Sequence, residues 1–234
     1  MLREPFITGE VYHIFNRGVE KRMIFMDDAD RRRFWLCLAA CNTDKPVIDF
    51  SKKIAEGNLE LPDRPEHLVH ILAYCLMPNH YHLLVVQAVD DGIRRFMHKF
   101  GTAYTMYFNT LYERVGPLFQ GVFKAVNVNQ QEQLLYIPHY IHANALDMDT
   151  RFAGWRNSKI ADIKNATEYL RAYQWSSYCY YANVKNDSVI DEESVLEFFE
   201  DRLRVAKDMN KWLGDMKINN TKIDLNITLE SDKG

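Results

Sequence analysis

The stretch from Ile71 to Val86 constrains this chain most. It is an apolar run of strand character interrupted at Pro78-Asn79. Proline presets the backbone for a turn and asparagine tolerates turn geometry. The run therefore reads as two strands, Ile71 to Met77 and Leu83 to Val86, joined by a tight turn. His80 and His82 sit just after that turn. Residues two apart on a strand share a face, so the two imidazoles stand side by side with Tyr81 on the opposite face. Adjacent charged imidazoles repel, whereas neutral ones can share a metal ion. On spacing alone the pair fits two satisfied sheet histidines as well as a metal pair.

A second cluster lies downstream. From Gln131 to Ala145 the apolar residues Leu134, Ile137 and Ile141 recur at helical spacing, which predicts an amphipathic helix. Tyr140 and Asn144 fall at i and i+4 and share one face of it. Pro138 removes a backbone donor one turn earlier and predicts a kink. Such a helix can offer a phenol and a carboxamide to two strand histidines. The spacing alone equally fits a core-edge tyrosine in a tyrosine-rich chain.

The remaining elements follow in order. Val11 to Asn16 is a strand. Met26 to Asp30 is acidic and cap-like, and opens a helix from about Asp28 to Cys41. Asn42 to Glu66 carries Pro46, Gly57, Pro62 and Pro65 and reads as an insertion loop. Gly92 to Leu111 repeats Ile93, Phe96, Met97, Phe100, Tyr104, Tyr107 and Leu111 at helical spacing. Val122 to Val128 is a further strand. The order β-α-β-β-α-β-α predicts an α+β fold: an antiparallel sheet with helices mainly on one face, ferredoxin-like or RRM-like. Residues 1–183 form the main domain. Residues 184–234 form a C-terminal helical extension, with a linker at Asn186-Asp187-Ser188, one helical stripe from Glu192 to Leu213, and a polar end from Met216 that frays. The aromatic run Tyr173 to Tyr181 suits base stacking or, more commonly, packing.

Charge narrows the partners. The net charge of -3 argues against bulk affinity for nucleic acid. Between Gly92 and Val126, however, Arg94, Arg95, Lys99, Arg114 and Lys124 face only Glu113. A locally basic middle can hold a phosphate backbone. Cys37, Cys41, Cys75 and Cys179 are scattered in apolar surroundings without a CxxC pair, as expected of buried thiols in a cytoplasmic protein. No apolar run approaches the roughly 20 residues that cross a bilayer, and no membrane partner is expected.

Several ordered stretches together carry a resemblance. They are His13-Ile14-Phe15-Asn16-Arg17-Gly18, Tyr74 to Leu84 around the histidine pair, Gly116-Pro117-Leu118-Phe119-Gln120-Gly121, Tyr140-Ile141-His142-Ala143-Asn144, and Trp175-Ser176-Ser177-Tyr178. Over roughly residues 8 to 183 the chain resembles the single-tyrosine HUH transposases of insertion sequences, above all the REP-associated tyrosine transposases. The resemblance implies the HUH fold, a His80–His82 metal pair, Tyr140 as nucleophile and Asn144 as a third metal-side ligand. It also implies Mg2+ or Mn2+ as cofactor. One departure stands out: the family usually follows that asparagine with proline, and here Ala145 follows.

The implied activity is metal-dependent cleavage and rejoining of single-stranded DNA hairpins through a 5′-phosphotyrosine link, with no nucleotide cofactor. Arg94, Arg95, Lys99 and Lys124 are the candidate DNA contacts, and a monomer is favoured over a homodimer. Two other functions stay open: a DNA-binding module that has lost catalysis, and a metal-dependent hydrolase using the His-x-His pair.

Overall fold

The computed structural model describes residues 5–46, 67–157 and 160–222, the last seven of these as backbone only. Most of the expected insertion loop, residues 47–66, and the end from 223 lie outside the described residues.

The fold is α+β and its element order is the one expected. Strand β1 (Val11–Arg17) leads to helix α1 (Asp28–Ala40), then to the hairpin β2 (Val69–Met77) and β3 (His80–Gln87). Helix α2 (Gly92–Leu111), strand β4 (Lys124–Asn127) and helix α3 (Gln131–Ala143) follow. The four strands form one sheet in the order β2-β3-β1-β4, with every neighbouring pair antiparallel. Pro78 and Asn79 alone separate β2 from β3, so the turn lies where the residue chemistry put it. The Asp27 carboxylate caps α1 by accepting from the Asp30 amide at 3.0 Å, which fixes the start of that helix.

Alternation along β3 sends side chains to two different layers. Tyr81 packs at 5.1 Å from the Phe34 ring of α1 and 5.9 Å from the Phe100 ring of α2. His82 points the other way, toward the Tyr140 ring of α3. Helices α1 and α2 thus share one face, as expected for helices gathered mainly on one side. The opposite face is also covered, by α3 and the C-terminal helices. Residues Tyr136 to Ala143 of α3 are all buried, because the sheet lies on one side of this helix and a later helix on the other. The helix runs through Pro138 as one element.

After α3 the chain continues in 3-10 turns, then α4 (Ile163–Ala172) and α5 (Tyr178–Tyr181). The motif around Ser176 lies along the free edge of β2. The Leu76 amide donates to the Trp175 carbonyl at 2.9 Å, and the Tyr74 amide donates to Ser177 Oγ at 2.9 Å. This contact covers an edge that would otherwise expose unpaired backbone groups. Tyr178, Tyr180 and Tyr181 are buried, so that aromatic run is used for packing.

Two details of the extension differ from the sequence reading. Asn186 to Ser188 is no loose linker: the buried Asp187 carboxylate accepts from Tyr74 Oη at 2.6 Å and Trp35 Nε1 at 3.1 Å. A polar residue that reads as a spacer is here an anchor. The single helical stripe is two helices, α6 (Glu192–Phe199) and α7 (Arg202–Lys222). They part at Glu200, whose φ of +62° leaves the helical region, and Asp201 Oδ1 then accepts from the Leu203 amide at 2.8 Å to start the second. The backbone of α7 stays helical to Lys222, past the expected fraying point.

Candidate active site

Strand register assembles the site. Arg17 of β1 lies opposite His80, and Phe15 lies opposite His82. Lys124 of β4 lies opposite Phe15. Cross-strand partners share a face, so Arg17, Phe15, His13, His80, His82 and Lys124 line one side of the sheet. His80 and His82 stand with ring centroids 5.1 Å apart and planes at 85°. The spacing argument for one shared face holds.

Two hydrogen bonds set the ring nitrogens. The Asn79 side-chain amide donates to the Lys21 carbonyl at 3.2 Å, which turns its oxygen toward His80. His80 Nδ1 donates to that oxygen at 2.7 Å, so its Nε2 carries a lone pair. Gly18 permits this arrangement. Its amide donates to the Asn79 carbonyl at 2.8 Å, and a Cβ there would meet the Arg22 carbonyl oxygen at 2.3 Å. His82 Nδ1 lies 2.9 Å from His13 Nε2. With Nδ1 donating to His13, His82 Nε2 also offers a lone pair, and that buried atom has no hydrogen-bond partner. Two imidazoles presenting Nε2 suit a divalent cation. The donor set fits the implied metal on this ground.

The surroundings keep these rings neutral. Burial pulls the His80 pKa down to about 3, and Arg17 and Arg156 add to the effect. His82 is lowered further by burial, then by His13, His80, Arg156 and Arg17. Burial lowers His13 to about 3 and His139 to about 4, and lowers His142 as well. Unfolding exposes all five rings, which then take up protons near pH 6.5. Their stability contribution is therefore full above that pH and is lost as the pH falls toward 4. Each extra proton bound by the unfolded chain costs about 1.4 kcal/mol per pH unit. Urea melts between pH 7.5 and 4.5 should show stability falling steeply below about pH 6.5. A flat profile over that range would contradict neutral burial of these rings.

Tyr140 lies against His82 and His13. Its ring lies 6.1 Å from that of His82 and 6.2 Å from that of His13, edge-on to both. Tyr136, one turn earlier, stacks 6.3 Å from Tyr140 and packs 5.1 Å from Trp212 of α7. Burial raises the Tyr136 pKa, with Tyr140 adding and Arg156 opposing. Asn144 ends α3. Its amide nitrogen donates to the Tyr140 carbonyl at 2.7 Å, and its oxygen accepts from Arg156 Nη2 at 2.8 Å. That oxygen is the atom a metal would need, and it keeps a second lone pair beside the one that Arg156 engages. Arg156 also pairs with Asp147 and lies 4.3 Å from the Trp155 ring centroid.

His13, Arg17 and Arg156 join the site without having been singled out individually by the sequence. Period-two alternation along His13-x-Phe15-x-Arg17 was the available signal for two of them. The four candidate DNA contacts divide. Lys124 is exposed on the histidine face. Arg94, Arg95 and Lys99 belong to α2 on the other face, away from Tyr140. There Arg94 pairs with Asp91 at 3.3 Å and lines a groove of about 730 Å³ with His98 and Phe119. Arg95 pairs with Asp44, and Lys99 donates to the Thr43 and Lys45 carbonyls.

Residues 64–144 match the family model described as IS200-like transposase. Over that span this chain is similar to the IS200-like transposases. The span contains both histidines, Tyr140 and Asn144, while His13, Arg17 and Arg156 lie outside it. A solved structure of a REP-associated tyrosine transposase bound to a REP hairpin is similar at 13% identity, over 82% of this chain and 96% of that chain, with a TM-score of 0.48. A comparison with curated proteins found no match. Among the described residues no helix is long and apolar enough to cross a membrane.

Proposed function

We propose that this IS200-like chain is a metal-dependent, single-stranded DNA transposase of the REP-associated tyrosine type. It cleaves and rejoins DNA at hairpin sites through a 5′-phosphotyrosine link. The observation that carries the reading is the approach of Tyr140 to the histidine face, 6.1 Å between the Tyr140 and His82 rings. A phenol beside two neutral imidazoles that present free Nε2 atoms is a nucleophile beside a metal pair.

Each residue has a task in this reading. His80 and His82 hold one divalent cation, which when bound supplies Lewis-acid polarisation of the scissile phosphate. Two nitrogen donors suit Mn2+ better than Mg2+, which prefers oxygen. Arg17 and Arg156 bring positive charge to a transferring phosphate. Tyr140 Oη forms the bond to phosphorus, its proton passes to solvent, and the 3′-oxygen leaves and is protonated to a hydroxyl. The link keeps the energy of the broken phosphodiester, so rejoining needs no nucleotide cofactor. His13, His80, His82 and Tyr140 all come from one chain, which supports action as a monomer. Lys124 lies on the open side of this face and is the first candidate for a backbone contact.

The hydrolase reading loses support here. The charged groups acting on His80 and His82 are Arg17 and Arg156, with no carboxylate among the described residues to complete a hydrolytic metal site with them. A binding module without catalysis is the second reading. It is favoured by the burial of Tyr140, which is 5% exposed, and by the engagement of the Asn144 oxygen with Arg156. Denaturing electrophoresis of the protein with end-labelled hairpin DNA, with and without manganese, separates the three. A manganese-dependent covalent protein–DNA band is expected. Cleavage without that band would favour the hydrolase, and binding alone the lapsed module.

A further inference from the structure

A second histidine cluster stands away from Tyr140, where the outer edge of the sheet meets the C-terminal extension. His67 lies two residues before β2, His70 lies within it, and Asp191 directly precedes α6. The donor atoms of these three residues all lie within 4.8 Å of one another. His70 Nδ1 is 3.2 Å from Asp191 Oδ2, and the His67 and His70 rings are 6.4 Å apart. We propose that His67, His70 and Asp191 form a zinc site that clamps the C-terminal helices to the edge of the sheet.

The chemistry of the donors selects the ion. Two imidazoles and one carboxylate, with water in the fourth position, make a common tetrahedral zinc set. Magnesium and calcium prefer oxygen donors. Bonds of about 2.0–2.2 Å around a tetrahedral ion put neighbouring donors about 3.3–3.6 Å apart. The His70–Asp191 pair is already close to that spacing, and His67 needs to close by at most roughly 1.5 Å. His67 is half-buried beside the start of β2.

The carboxylate is already oriented. Asp191 Oδ1 accepts from the Ser194 amide at 2.9 Å as the cap of α6, which leaves Oδ2 turned to His70. Such outer hydrogen bonds hold a ligand in its metal-binding pose. The Asp191 amide donates to the Ile71 carbonyl at 2.9 Å, so the backbone beside the carboxylate is tied to β2. The His70 side chain is 34% exposed, which gives an ion a route in. Zinc here would join β2 to α6 through bonds stronger than the single His–Asp contact. Folding and metal binding would then be linked.

The site is independent of the histidine pair beside Tyr140, and the test keeps the two apart. The His80→Ala protein, which keeps the buried His82 and its contact with His13, is stripped with a chelator and titrated with zinc, then with cobalt as a spectroscopic probe. One zinc per chain and a tetrahedral cobalt absorption are expected. Adding His67→Ala or His70→Ala should weaken zinc binding about tenfold or more. Asp191→Ala would also remove the helix cap, so His67→Ala is the decisive variant because it leaves that cap intact. Zinc should raise the melting temperature of the His80→Ala protein and not that of the same protein carrying His67→Ala as well. Absence of stoichiometric zinc in a folded His80→Ala protein would overturn the proposal. So would a zinc affinity unchanged by both His67→Ala and His70→Ala.

Discussion

His80→Ala is expected to lower strand cleavage by roughly 100-fold or more, since losing about 3 kcal/mol of transition-state stabilisation has that effect. Hairpin binding should stay close to that of the unaltered protein, because in the proposed reading Lys124 and not His80 contacts the backbone. His80 is the better of the two positions to test. It opens β3 at the hairpin turn and hydrogen-bonds its neighbour Asn79, whereas His82 is fully buried and holds His13. Removing His82 would therefore mix a folding defect with the catalytic one. Single-turnover cleavage in manganese, beside manganese affinity and a thermal melt, separates these effects. Cleavage and manganese affinity that both survive in a folded His80→Ala protein would refute the metal pair.

Tyr140→Phe should lose the covalent product altogether while binding hairpin DNA almost normally. Phenylalanine keeps the ring that packs against His13, His82 and Trp155, and removes only the attacking oxygen. Tyr136→Phe is the matched control. Its ring stacks on Tyr140 and packs, tilted, against Trp212. Tyr136→Phe should keep the adduct. A covalent band that persists in Tyr140→Phe and vanishes in Tyr136→Phe would move the nucleophile one turn back along α3.

Local chemistry made much of the fold legible. Pro78-Asn79 between two apolar runs marks the hairpin, Asp27 marks the start of α1, and helical spacing marks α2 and α3. Alternation alone sends Tyr81 and the histidines to opposite faces. What stayed hidden depends on distant partners. His13 bonds His82 across 69 positions, and no periodicity within β1 reveals which strand it will pair with. Arg156 sits in a 3-10 turn, which has no amphipathic repeat to read. Asp187 looks like a linker residue because its partners, Tyr74 and Trp35, are 113 and 152 positions away. The basic residues of α2 show the same limit. They cluster in sequence with Lys124, yet the sheet separates them from it.

The most direct test of the account is to find where DNA becomes attached. The adduct formed with hairpin DNA in manganese is trimmed with nuclease, digested with protease and sequenced by mass spectrometry. The account predicts a nucleotide 5′-phosphate on the peptide spanning Leu134 to Asn144, carried by Tyr140. A nucleotide on Tyr136 or on any other residue, or no adduct from a hairpin that the protein demonstrably cleaves, would contradict it.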